Sequence, residues 1–360
     1  MPHAIHPTRR SLCLATAAAL LPAWPLRAQP ARPYLADIHS HLGLIAKRAE
    51  GFDMGQVLRA AGVTLLSWNL VDDGPWTTRT AHGIQQTRQP APGDLWRHFQ
   101  RRNAAHDAML TAWGLARLLV PADVDAALAG ELRVVRASES ANFLEGRPER
   151  VAEAHAMGLR HLQLIHYIET PLGNLQTASP HFDTVQPVAL QVIAECRRLG
   201  MVVDLAHSTP DLVDAALDSS DAVLIWSHSY ISRAGGNWKD PPMLARSLSP
   251  AQAKKIAAHG GIVGLWSARW RSNSAYPVYS VASYADEIVR MAELLGPEHV
   301  AFGTDMEGVG ASPVLSDYAD LRAVADNLAR RGMAEADLHN VCIGNYARVL
   351  KQAMGGAERR

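Results

Sequence analysis

Tyr34-Leu35-Ala36-Asp37-Ile38-His39-Ser40-His41 is a short apolar run that ends in two histidines. A run of this length, rich in apolar residues, reads as a strand. Alternate residues of an extended chain project to the same side, so His39 and His41 can reach one ion. Alone, a His-x-His pair is a weak signal and is equally at home on a surface. Its weight comes from recurrence. The run 132–138 is followed by Glu139, the run 202–206 by His207 and the run 223–227 by His228. Each of these could be an ordinary exposed or hydrogen-bonded residue at a strand end. Four such strand ends in one chain are harder to dismiss.

Working outward, apolar and β-branched runs occur at 34–38, 63–70, 132–138, 160–165, 201–206, 222–227, 261–266 and 299–304. Between them lie amphipathic, Ala- and Leu-rich stretches such as 150–157, 187–199 and 284–295. Glycines 62, 158, 200, 260 and 296 stand just before strands, where a helix can end in a left-handed residue. Strands alternating with helices predict a parallel sheet, and eight of them predict closure into a (β/α)8 TIM barrel of the α/β class. Two departures are expected. A helical insertion follows strand 2 at about 94–128, preceded by a loop at 72–93, and extra C-terminal helices occupy about 318–333 and 337–354. The loop 229–247, rich in Gly, Pro and Arg, follows the sixth strand, where it can cover the barrel mouth.

The chain has 360 residues, 48% hydrophobic and 19% charged, with a formal net charge of zero. That supplies one large core, and no basic stripe points to nucleic acid. Residues 1–32 read as a signal peptide and short leader outside the fold. Arg9-Arg10 precede the apolar run 12–21, small residues follow near Ala28, and Thr8-Arg9-Arg10-Ser11-Leu12 resembles a twin-arginine signal. The run is too short to span a bilayer comfortably. The expectation is a periplasmic or secreted protein, with residues 33–360 forming a single (β/α)8 domain and no stable membrane span. Cys196 and Cys342 are the cysteines beyond the leader; their separation fits no zinc or redox motif.

Four imidazoles and a carboxylate at one end of a parallel barrel can hold two divalent metals and activate water between them. His39, His41, Glu139, His207 and His228 are therefore the candidate metal ligands. Glu139 has two oxygens and can bridge two cations. Asp305, in Gly303-Thr304-Asp305-Met306-Glu307-Gly308 after the last strand, reads as the proton shuttle, against the alternative of a turn cap. His166, after Leu164-Ile165, suits a donor to the substrate carbonyl or oxyanion better than a further ligand. Arg246, in Leu244-Ala245-Arg246-Ser247-Leu248, is either a solvated arginine or a two-pronged holder of a substrate carboxylate. His98, His106, His155, His161 and His259 are expected on helices or loops, structural or exposed.

Taken together, these stretches resemble the membrane dipeptidase (renal dipeptidase-like) family, binuclear zinc peptidases of the amidohydrolase superfamily. The likeness rests on Asp37-Ile38-His39-Ser40-His41, Ser138-Glu139-Ser140, Leu164-Ile165-His166, Asp204-Leu205-Ala206-His207-Ser208, Trp226-Ser227-His228-Ser229, Ala245-Arg246-Ser247-Leu248, Gly260-Gly261-Ile262-Val263-Gly264 and Gly303 to Gly308. It implies two zinc ions per chain. His39 and His41 match the first metal's ligands, Glu139 the bridge, and His207 and His228 the second metal's ligands. Asp305 matches the acid/base carboxylate; His166 and Arg246 match substrate-contacting positions. The implied activity is cleavage of a dipeptide or similar N-acyl amino acid, and a homodimer follows by analogy. The chain departs from the family pattern at His41, where aspartate is usual, and at Ser140, Tyr167, Ser247, Met306 and Glu307. Phosphotriesterase- and lactonase-like barrels also carry these histidines but bridge their metals with a carbamylated lysine. No lysine occurs between Lys47 and Lys239. A catalytically dead periplasmic binding barrel is the alternative from another class.

Overall fold

The computed structural model describes residues 32–46, 50–81, 83–232, 238–269, 278–310 and 313–358. The leader reading therefore falls almost wholly outside the described residues, as does the 233–237 part of the loop after the sixth strand. Residues 33–360 form one compact unit.

Eight parallel strands build that unit: β1 (Leu35–Ser40), β2 (Val63–Leu70), β3 (Arg133–Ser138), β4 (Leu159–Gln163), β5 (Val202–Asp204), β6 (Leu224–Ser229), β7 (Val263–Leu265) and β8 (Val300–Phe302). They pair in chain order, each with the next. Between β8 and β1 the barrel is sealed just past the strands. Asp305 N donates to His39 O at 2.9 Å, and His41 N donates to Met306 O at 3.0 Å. The Asp37 carboxylate adds bonds from Thr304 N at 3.0 Å and Thr304 Oγ1 at 2.5 Å. Gly303 also lets the end of β8 sit close to β6, since a Cβ there would lie 1.7 Å from Ser227 O. The fold is thus the expected (β/α)8 barrel.

Helices return the chain to the start of each strand, and their ends follow from sequence. Ser249 caps Pro250–Ala258 with a capping box to Gln252, and Asp53 caps Met54–Ala61. Gly62 and Gly200 end their helices in the left-handed conformation. Inside the barrel, Leu65, Val135, Val202, Ile225 and Ile262 share a buried apolar cluster with Ile343, Tyr346 and Leu350. The C-terminal helices supply that packing.

Three details differ from the sequence reading. The insertion at 94–128 is not one helical block. Asp94–Ala112 stops at Trp113, Gly114 turns the chain at φ 60°, and Ala116–Arg117 pairs parallel with Arg133 and Val134 before Pro121–Leu128 begins. Burying Leu115 and Leu118 favours this turn over continued helix. The loop 72–93 contains an antiparallel hairpin, Thr77–Thr80 with Gly83–Gln86. The last helical segment is divided into Glu335–His339, a π turn Asn340–Gly344 and Asn345–Glu358. Cys196 and Cys342 are separate, buried and free. Among the described residues, no helix is long and apolar enough to cross a membrane.

Candidate metal centre

The candidate residues meet at the C-terminal ends of the strands. His39 lies in β1 and His228 in β6, while His41 and Glu139 directly follow β1 and β3. His166, His207 and Asp305 each stand three residues past their strands. His207 and Asp305 adopt positive φ, 66° and 54°. That conformation is costly for residues with a Cβ, and strain of this kind concentrates where a side chain must be aimed. Gly308 leaves room for Asp305, because a Cβ there would lie 1.9 Å from Asp305 Oδ1.

Glu139 is the hub. Its carboxylate lies 3.1 Å from His41 Nε2, 3.3 Å from both His166 Nε2 and His207 Nε2, and 3.4 Å from both His39 Nε2 and His228 Nε2. Asp305 Oδ1 joins the set, 3.1 Å from His41 Nε2. Glu139 is 4% exposed and Asp305 5%, so bulk water does little to screen these charges. Two triads within this group have ligand atoms close enough together for one cation each: His39, His41 and Glu139, and Glu139, His207 and His228. Glu139 belongs to both.

The far sides of the rings are also held. His41 Nδ1 bonds Asn69 O at 2.8 Å, which turns Nε2 toward Glu139. His39 Nδ1 lies 3.0 Å from Asn69 Nδ2 and 3.1 Å from Ser227 Oγ. Ser227 Oγ lies 2.8 Å from His228 Nδ1. Such outer contacts fix ring orientation in metal sites. Burial, reinforced by the charge of His39, lowers the His228 imidazolium to about 4, and burial with Arg246 carries His207 well below its ordinary value. Both rings are therefore neutral at pH 7, the form that ligates metal. Burial opposes charge on His41, yet hydrogen bonds and charge from Asp305 and Glu139 push it up to about 10. Burial would raise Glu139, but His166 and His39 outweigh it and hold the carboxyl well below the usual range. Two carboxylates thus demand positive charge at the centre. Imidazole nitrogens and carboxylate oxygens are the donor set that suits zinc and similar dications.

The structure brings in partners that strand-end reasoning missed. Asp73 Oδ2 accepts from His166 Nδ1 at 2.6 Å and from Tyr167 N at 3.0 Å. Asp73 Oδ1 accepts from Asn142 Nδ2 at 2.7 Å. Burial alone would lower the His166 imidazolium, but Glu139 and Asp73 raise it well above its ordinary value. Both His166 nitrogens thus face carboxylate oxygens, Asp73 at Nδ1 and Glu139 at Nε2. Arg246 is buried, at 4% exposure, not solvated. It donates to His228 Nε2 at 2.8 Å and to Tyr167 Oη at 3.2 Å. His161 is the one spare histidine whose expected place changes. It lies in β4, buried, with Nδ1 3.0 Å from both Ser67 Oγ and Tyr346 Oη.

Comparison with known proteins gives the family and the fold. The family model described as membrane dipeptidase (peptidase family M19) matches residues 96–359. Dipeptidase 3 of Rattus norvegicus is 28% identical over 204 residues, which cover 55% of this chain and 40% of that protein. The chain spans about half the length of the curated relatives it matches, 40% to 53% of each. The crystal structure of the dipeptidase AC, a metallo peptidase of family M19, superposes with TM-score 0.73 at 19% identity, over 90% of this chain and 99% of that one. A metallo peptidase from Rhodobacter sphaeroides, liganded with a phosphinate mimic of the dipeptide L-Ala-D-Ala, superposes with TM-score 0.72 at 18% identity, over 89% and 99% of the two chains. At these identities the structures speak for the fold.

Proposed function

The chain belongs to the membrane dipeptidase family, peptidase family M19, and from that membership we propose that it is a binuclear zinc-dependent hydrolase of dipeptides or similar N-acyl amino acids. The observation that carries the reading is the convergence of five imidazole Nε2 atoms on Glu139, each within 3.1–3.4 Å. His39, His41 and Glu139 would hold one cation, and Glu139, His207 and His228 the other. Cations held there acidify water toward neutral pH and polarise the scissile carbonyl.

The chain's own groups account for the remaining steps. Asp305 accepts the proton of the attacking water on Oδ1 and returns it to the leaving amine. His166, held by Asp73, donates from Nε2 to the carbonyl oxygen as negative charge develops there. Arg246 holds the substrate's terminal carboxylate, with Tyr167 beside it. The reading also includes export through the leader, so envelope material should begin near Ala28; an N-terminus at Met1 would overturn that part.

The decisive assay is a panel of L,L-, L,D- and D,D-dipeptides, offered to chelator-treated protein with and without restored zinc. Zinc-dependent release of free amino acids supports the proposal. A metal-loaded protein that cleaves none of them contradicts it.

A further inference from the structure

Trp266 touches both the proposed proton shuttle and the proposed carboxylate anchor. It directly follows β7 and is 6% exposed. Its Nε1 donates to Asp305 Oδ2 at 2.8 Å. The other carboxylate oxygen, Oδ1, is the one that lies 3.1 Å from His41 Nε2. On the ring's face, the Arg246 guanidinium carbon stands 4.5 Å from the ring centroid, within the range of a cation–π contact. The backbone beneath is tied down: Trp266 N donates to Ser229 O at 3.1 Å, and Ser267 Oγ to Thr304 O at 2.5 Å.

We infer that Trp266 is a positioning residue that aims Asp305 through its N–H and Arg246 through its ring face. The inference rests on the dipeptidase reading above. A carboxylate has two equivalent oxygens and a soft terminal torsion. Without a fixed donor, either oxygen can turn toward the reacting water, and neither is held there. With Oδ2 pinned by the indole, Oδ1 alone faces the centre. The guanidinium is planar and stacks, so the same ring sets the plane from which Arg246 meets a carboxylate. One side chain thereby couples proton transfer to substrate anchoring, through two atoms groups that can be removed separately.

The test uses metal-loaded full-length variants, with metal content measured for each. Trp266→Phe keeps a ring beneath Arg246 and removes the N–H. Its kcat should fall roughly tenfold to hundredfold, the worth of a hydrogen bond to a charged group, with KM for a free dipeptide unchanged. Trp266→Leu removes both contacts, so the same loss in kcat should come with a raised KM. In an Asp305→Asn background, Trp266→Phe should cost nothing more. Should Trp266→Phe fold poorly, site-specific replacement of the indole by benzothiophene removes the donor at constant shape and should give the same kcat loss. Unchanged kcat without the N–H, or an equal loss in the Asp305→Asn background, overturns the inference. Identical KM values for the Phe and Leu variants overturn its Arg246 half. If unsubstituted, metal-loaded protein cleaves no dipeptide, the dipeptidase reading falls and the inference with it; turnover by that protein alongside a silent Trp266→Phe sinks only the inference.

Discussion

Two sets of histidines in this protein are equally hidden and entirely different. His39, His41, His207 and His228 are each at most 1% exposed, and so are His106 and His161. The first four aim their Nε2 atoms at one carboxylate at the barrel rim. His161 sits deeper in the barrel, its Nδ1 bonded to Ser67 and Tyr346 and its Nε2 alone facing Asp204 Oδ2 at 3.4 Å. His106 stacks on Trp68 with ring centroids 4.1 Å apart, and its nitrogens have no hydrogen-bond partner among the described residues. Burial therefore does not mark a functional histidine here. Convergence of nitrogens on a shared anion does, because only that arrangement demands a cation.

The contrast can be broken by substitution, and the largest effect belongs to its centre. Glu139→Gln should abolish turnover and release metal, since both triads lose their common ligand; elemental analysis and a dipeptide assay check this together. Asp305→Asn should keep its metal and lose about 10²–10⁴-fold in kcat, the usual contribution of general acid–base catalysis. A wild-type rate would move Asp305 to a capping role. Asp73→Asn should cost on the order of thirtyfold, the worth of a hydrogen bond to a charged group. Nothing further should be lost when it is added to His166→Ala. Additive losses in that cycle would make Asp73 a loop strut only.

Arg246→Ala should weaken kcat/KM for free dipeptides roughly tenfold to hundredfold and leave C-terminally amidated substrates nearly untouched. Equal losses on both would reject carboxylate recognition. The smallest effect is expected at the comparison's other pole. His106→Leu removes buried nitrogens that have no hydrogen-bond partner among the described residues, and replacing such groups with apolar ones is close to neutral. Its kcat and melting temperature should stay within error of the parent. A collapse in turnover would mean that the deep histidines are not inert.

Much of this was legible in the sequence because the barrel repeats one rule. Every strand must be short and apolar, and the residue that follows it faces the rim. That rule found all eight strands and brought His39, His41, Glu139, His166, His207, His228 and Asp305 together. It could not find partners chosen by folding alone. Asp73 and His166 are 93 residues apart, and Trp266 and Asp305 are 39 apart. No spacing signals either pair. Short elements were equally invisible. Ala116–Arg117 has two residues, too few for periodicity, and the Asn340–Gly344 π turn keeps an amphipathic pattern that reads as uninterrupted helix. Arg246 was ambiguous for the same reason: an arginine in a polar loop reads as solvated until a tryptophan is seen beneath it.

The central claim is that the rim cluster is a two-metal centre built on Glu139. Anomalous scattering from crystals of the zinc-loaded protein, recorded at the zinc absorption edge, tests it most directly. The account predicts two peaks per chain, one among His39, His41 and Glu139 and one among Glu139, His207 and His228. A single peak that excludes Glu139, or no peak at the rim in protein shown to bind zinc, would contradict it.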